Sequence, residues 1–233
     1  MVIGLEADLE RQVKERVMFN MERVENGKGF FVVFEGGEGG GKTSQVGLIG
    51  EWLNENAQPT KTFREPGTGR VSEAIRSLLI GEKMADQTEA LLFLAARSEF
   101  VNRHLRPTLE AGVNVINDRF ATSTYVYQGL ARGLSVGDLM YINRFAVGNL
   151  KPDHNFLLDV PPEVGLARAR GEGNLDVIES MGLDFHRKVN GGYLDIARGD
   201  PDNWTIIDAT KSFEEVTEAI KGTFADLGYY VQK

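Results

Sequence analysis

Residues 30–43 read FFVVFEGGEGGGKT, and this stretch decides the fold. Its first half is a continuous apolar run of strand length that glycines end, the pattern of a strand buried on both faces. Its second half satisfies GxxxxGK(S/T) through Gly36, Gly41, Lys42 and Thr43, and the chain then turns helical to about residue 56. Strand, glycine loop and helix in that order build a cradle for a polyphosphate. Glycines at 36, 39, 40 and 41 let backbone N–H groups turn toward the anion, Lys42 brings charge to the β- and γ-phosphates, and Thr43 offers a hydroxyl to magnesium. Ser44 belongs to the first helical turn, whose N-terminus adds a partial positive charge. The expectation is a nucleoside triphosphate site on the loop.

Outward from the loop, short apolar segments alternate with helical periodicity. A strand near residues 60–63 precedes helices at 71–80 and 87–110, and the apolar strand NVINDR ends at Asp118. Helices at 123–131 and 135–147, the strand NFLLDV and a helix at 162–169 follow. A polar, glycine-bearing stretch, a helix at 183–197, the strand WTIID and a last helix from Phe213 complete the chain. This alternation predicts an α/β fold with a parallel sheet covered on both faces. No repeat or linker divides residues 29–233. Residues 5–25 place Leu5, Leu9, Val13, Val17, Met21 and Val24 at helical spacing and stop at Asn26 and Gly27. They predict an extra amphipathic helix, so residues 1–28 read as an extension, packed on its own domain or docked on a partner.

Composition narrows the function. The chain has 233 residues, 42% hydrophobic and 26% charged, enough for a buried core. Its 34 acidic residues against 26 basic ones give a net charge of -8, which argues against nucleic acid or an anionic membrane as partner. With no cysteine, disulfides, thiolate nucleophiles and cysteine-ligated zinc are excluded. His104, His154 and His186 show no metal-site spacing, so a cation must rest on oxygen ligands. No apolar run has the length of a membrane span, and Glu6, Asp8 and Glu10 do not suit a secretion signal. A soluble, cytoplasmic protein is expected. The absence of an NKxD element weighs against a guanine-specific switch.

Four further segments gather polar residues where this topology places strand ends: FREPGTGRVSEAIR from Phe63, LLFLAARSEF from Leu91, DRFATSTYVYQG from Asp118 and ARARGEGNLDVIE from Ala167. With the glycine loop, they resemble the thymidylate kinase family from about residue 30 to the C-terminus. The resemblance implies a three-layer P-loop kinase fold on a five-stranded parallel sheet, a homodimer, and transfer of the γ-phosphoryl group of ATP to dTMP in dTTP synthesis, with Mg2+. One departure stands out: the family's REPGGT is REPGTG here, with Thr68 and Gly69 exchanged.

Residue roles follow from the resemblance. Asp118 assists the magnesium beside Thr43, and Arg119 grips the dTMP phosphate. Their place at a strand's C-terminal end suits a ligand site. Phe93 stacks on thymine and Arg97 donates to a thymine carbonyl. Their spacing of four puts both on one helix face, although the residues alone would place Phe93 in the core. Tyr127 packs near the sugar's 2' carbon and excludes ribose, while Thr124 and Gln128 reach the base. Glu38 contacts the 3' hydroxyl, Arg64, Glu65 and Pro66 line the acceptor site, and Arg76 joins them from the next helix. Gly39 and Gly40 in the loop, with Arg168 and Arg170 opening a lid at about 168–182, imply the class whose lid arginines act with Lys42 and Arg119 in catalysis. Because the second pKa of a phosphate monoester is about 6, the acceptor needs no general base at neutral pH. A kinase for another deoxynucleoside monophosphate and a nucleotide-binding regulatory ATPase stay open as alternatives.

Overall fold

The computed structural model describes residues 14, 15, 17–20, 22, 29–171, 177, 178 and 180–230. Strand β1 (Phe31–Glu35) lies at the centre of a five-stranded sheet in the order β2-β3-β1-β4-β5. The others are β2 (Thr60–Arg64), β3 (Asn114–Asp118), β4 (His154–Asp159) and β5 (Trp204–Asp208), and every neighbouring pair is parallel. Phe34 stands opposite Asp118 on one side and Phe156 on the other, so β1 and β3 end side by side while β4 continues to Asp159.

Helices cover both faces. Val32 and Phe34 of β1 pack toward α1 (Lys42–Glu55) and α9 (Phe213–Asp226), among Ile49, Leu53, Ile220 and Phe224. Phe31 and Val33 point the other way, among Phe100, Leu105, Phe120 and Val147. This two-sided burial is why β1 reads as unbroken apolar sequence, each full burial contributing about 2 kcal/mol. A third cluster joins Val126, Leu157, Val189, Tyr193 and Trp204. The remaining helices are α2 (Arg70–Gly81), α3 (Asp86–Phe100), α4 (Arg106–Glu110), α5 (Ala121–Thr124), α6 (Val136–Val147), α7 (Pro162–Gly171) and α8 (Leu183–Gly199). A capping box of Ser212 and Glu215 starts α9.

Two expected helices differ in detail. The one at 87–110 is α3, a π-helical turn over Val101–Leu105, then α4. Pro107 has no N–H to donate, and its ring would strike the carbonyl four residues back in a regular helix; the wider turn relieves this. The helix expected at 123–131 is α5 followed by π-helix over Tyr125–Ala131. Val126, Tyr127, Gln128 and Gly129 are all buried there, four consecutive residues that one face of a regular helix does not bury.

Of the predicted N-terminal helix, residues 14, 15, 17–20 and 22 are helical. Buried Asn20 donates from Nδ2 to the Leu227 carbonyl at 2.7 Å, which fixes this segment to the end of α9. Leu5, Leu9, Val13, Met21 and Val24 lie outside the described residues.

Candidate active site

The loop between β1 and α1 supplies the first half of the site. Gly36, Gly39 and Gly41 have φ of 141°, 64° and 78°, a region side chains rarely enter. At Gly39 space is absent too: a Cβ would lie 2.0 Å from the Gly165 carbonyl oxygen, and one on Gly165 would lie 2.2 Å from that of Glu38. Loop and α7 thus meet backbone to backbone. Lys42 Nζ donates to the Gly37 carbonyl at 2.6 Å. Burial, aided by Arg119, lowers the Lys42 pKa, and Glu38 and Asp118 work against that. Thr43 donates its hydroxyl to Asp118 Oδ2 at 2.5 Å, which joins the loop to the end of β3.

The next compartment is built around Arg119. Its φ of 69° turns it off the end of β3. There its guanidinium donates to the Gly36 carbonyl at 3.0 Å and to Glu38 Oε1 at 2.9 Å, and lies 5.1 Å from the Tyr127 ring centre. Tyr127 donates to the same Glu38 oxygen at 2.6 Å. Burial alone would push the Glu38 pKa up, but Arg119, Lys42 and the Tyr127 hydrogen bond hold it at about 2. Burial would likewise lower the Arg119 pKa, and Glu38 keeps it well above its ordinary value. Behind them, Glu35 accepts from the Phe120 N–H, the Ser123 hydroxyl and the Tyr193 hydroxyl at 2.9, 2.6 and 2.9 Å. Its pKa is raised by burial in spite of these bonds.

Farther along, Arg97 is buried as an organising group. It donates to Glu65 Oε2 at 2.7 Å, Thr124 Oγ1 at 3.0 Å, Asn143 Oδ1 at 3.1 Å and the Phe120 carbonyl at 2.9 Å. Burial pushes the Glu65 pKa up to about 7, with Arg97 opposing. Gln128 donates to Glu89 at 2.8 Å. Arg76 donates to the Pro66 carbonyl at 3.0 Å, and Arg64 faces Glu73 at 3.4 Å. The exchanged pair has its own fit: Thr68 donates to the Arg64 carbonyl at 2.9 Å, and Gly69, with φ of 84°, leaves room for His104.

One cavity of about 690 Å³ connects these compartments. Gly39, Gly40, Gly41, Lys42, Thr43 and Ser44 line it together with Phe93, Thr124 and Gln128, and the hydrogen-bonded pair Glu38 and Tyr127 belongs to the same lining. Asp118, Arg119, Arg64, Glu65, Pro66, Arg76 and Arg168 line it as well. Three expected residues do not line it. Gly36 turns the chain beneath it, Arg97 is 2% exposed behind Thr124, and Arg170 is an exposed residue of α7. Arg168 instead donates to the Ala209 carbonyl at 2.8 Å and lies 3.4 Å from that of Gly39. Of the expected lid, residues 172–176 and 179 lie outside the described residues. Sequence reasoning missed Glu35, Ser123, Tyr193 and Lys211; Ser123 and Lys211 line the cavity. A carboxylate ending an apolar strand was a signal for Glu35; Tyr193 carried none.

A glycine loop for polyphosphate, opening directly onto a second compartment with its own arginine and aromatic walls, defines a P-loop phosphotransferase of the nucleoside monophosphate kinase class. A family model for thymidylate kinase matches residues 34–220. The thymidylate kinase of Symbiobacterium thermophilum is 45% identical over 194 residues, covering 82% of this chain and 90% of its own. That of Thermomicrobium roseum is 44% identical over 200 residues, 85% of this chain and 95% of its own. The crystal structure of thymidylate kinase from Ehrlichia chaffeensis superposes with a TM-score of 0.68 at 29% identity, covering 84% of this chain and 98% of its own. The chain belongs to the thymidylate kinase family.

Proposed function

We propose that this chain transfers the γ-phosphoryl group of ATP to dTMP, giving ADP and dTDP for dTTP synthesis. The observation that carries the reading is the continuous cavity, whose lining holds the glycine loop with Lys42, Arg119, and Phe93 and Gln128 together. Donor and acceptor phosphates would then meet in line over the two cations. Lys42, Arg119 and Arg168 would stabilise charge spread over the transferring group, and Arg170 would join from the lid only by moving. The acceptor's attacking oxygen is already mostly ionised at neutral pH, so positioning rather than a base does the chemistry. Tyr127 and Glu38 would fix the sugar, Phe93 the base, and Thr124 and Gln128 its polar edge, with Arg97 acting through Thr124. Arg64, Glu65, Pro66 and Arg76 would form the wall around the acceptor.

Thr43 and Asp118 suit magnesium, since both present oxygen donors to the cavity. Among the described residues no three acidic or histidine side chains gather as a metal cage, which fits a cation that keeps phosphate and water oxygens for its other ligands. Bound there, it would neutralise charge on the triphosphate.

The assembly we assign is a homodimer. Tyr141 and Phe145 on α6 are 79% and 90% exposed, one turn apart and beside exposed Met140, an apolar ridge suited to a second copy. Residues 1–28 act as an extension to the kinase domain of 29–233, and the Asn20 bond to Leu227 favours packing on that domain. A cysteine-free chain suits the cytoplasm, where we place the reaction. Among the described residues no helix is long and apolar enough to cross a membrane.

The test is the initial rate of ADP formation with ATP and magnesium, comparing dTMP, dUMP, dGMP, the ribose analogue of dTMP and no acceptor. Strong dependence on dTMP with rejection of the ribose analogue supports the reading. An equal rate without acceptor would sink it in favour of a regulatory ATPase.

A further inference from the structure

Gln128 lines the cavity and donates its amide to Glu89, and we infer that Glu89 and Arg132 are positioning residues that fix the polarity of this amide and so set base selection. Gln128 and Glu89 are buried, at 1% and 5% exposure, on different helical segments that meet. Gln128 Nε2 donates to Glu89 Oε1 at 2.8 Å. Arg132, one turn beyond Gln128, donates to the other Glu89 oxygen at 2.7 Å and to Asp86 Oδ1 at 3.1 Å. Its guanidinium lies over the Phe185 ring, 5.7 Å from the ring centre.

The polarity follows from donor and acceptor chemistry. A carboxylate gripped by a guanidinium can only accept, so the amide nitrogen must face Glu89; a flipped amide would set oxygen against oxygen in a buried place. Gln128 Oε1 is left for the cavity, and no described residue donates a hydrogen bond to it. An acceptor fixed at this point selects a base edge that carries an N–H. Given the dTMP reading above, on which this inference rests, that edge is the ring N–H of a 2,4-dioxopyrimidine. An aminopyrimidine offers a bare ring nitrogen there, leaving two acceptors face to face. The ion pair thus transmits base identity without touching the base.

The test uses dTMP and dCMP as acceptors with the full chain. Glu89→Gln frees the Gln128 amide to flip, and is expected to raise KM for dTMP about 10-fold with kcat within about twofold, and to lower the dTMP-to-dCMP preference in kcat/KM by a similar factor. The exchange variant Glu89→Gln with Gln128→Glu restores a donor at 89 and a fixed acceptor toward the cavity, so the preference is expected to return. The inference is overturned if Glu89→Gln keeps the wild-type preference, or if the exchange variant recovers none of what the single variant lost. A Glu89→Gln chain that fails to fold leaves the exchange variant to decide, by the same preference. Should wild-type protein not phosphorylate dTMP at all, the functional reading fails first.

Discussion

Arg119 Nη2 stands 2.9 Å from Glu38 Oε1, a contact that ties the end of β3 to the middle of the glycine loop. Both side chains are largely buried, at 18% and 17% exposure, and the Tyr127 hydroxyl closes on the same oxygen. A carboxylate set among phosphate-binding groups would repel an anionic ligand if it stood alone. Here it neutralises part of Arg119 and fixes its fork, so the cavity keeps Lys42 and a rigid, oriented guanidinium.

That contact makes acid stability depend on Glu38. Its folded pKa of about 2 lies below the ordinary 4.5, so the carboxylate form favours the folded chain. The contribution, on the order of 3 kcal/mol, is present above about pH 4.5 and lost as pH falls toward 2. Glu38→Gln should therefore be less stable than wild type at pH 6, with the gap shrinking on acidification. Urea unfolding at a series of pH values measures it, and a gap that is independent of pH contradicts the coupling.

Lys42→Ala should lower kcat by about 10²- to 10³-fold, the usual cost of removing one preorganised donor from a developing charge. Folding should survive, because burial already lowers the Lys42 pKa and the variant removes a buried cation rather than a packing group. Turnover and circular dichroism of the same sample check both halves; near-normal turnover would refute the assignment of the loop.

The sheet was legible in the sequence because β1 could be only one thing: an apolar run ending in a GxxxxGK(S/T) loop needs burial on both faces and a helix after it. The π-helical turns were not legible, since helical periodicity records which residues are apolar and not how tertiary packing widens a turn. The partners of Arg97 were not legible for a related reason. An arginine four residues after Phe93 reads as one face of a helix, whereas its burial depends on Glu65, Thr124, Asn143 and Phe120, drawn from distant segments. Spacing likewise could not separate Arg168 from Arg170. The rotation of α7 separates them, and it is set by the close approach of Gly165 to the loop.

Two glycines of one loop should respond unequally to substitution. A methyl on Gly39 meets the Gly165 carbonyl oxygen and opposes a φ of 64°, so Gly39→Ala should lower Tm by about 5 °C or more and weaken ATP binding. Nothing lies within 4 Å of a Cβ on Gly37, whose substitution by alanine should shift Tm by no more than about 2 °C. Thermal melts of the two variants decide the matter; equal shifts would mean that the loop does not rest on α7.

Arg97→Ala should be the most damaging single change outside the loop. It strips four hydrogen bonds and leaves Glu65 buried without its cation, a loss of about 3–5 kcal/mol for one half of a buried pair. The pH dependence carries the diagnosis. In wild type the Glu65 pKa of about 7 exceeds the ordinary 4.5, so the folded chain holds the proton longer and its stability falls as pH rises through that interval. Without Arg97 to oppose burial, the folded pKa rises further, and stability continues to fall above pH 7. The gap between wild type and variant should therefore widen from pH 7 to pH 9 in urea unfolding. A variant that unfolds like wild type at both pH values, while KM for dTMP alone rises, would return Arg97 to direct contact with the base.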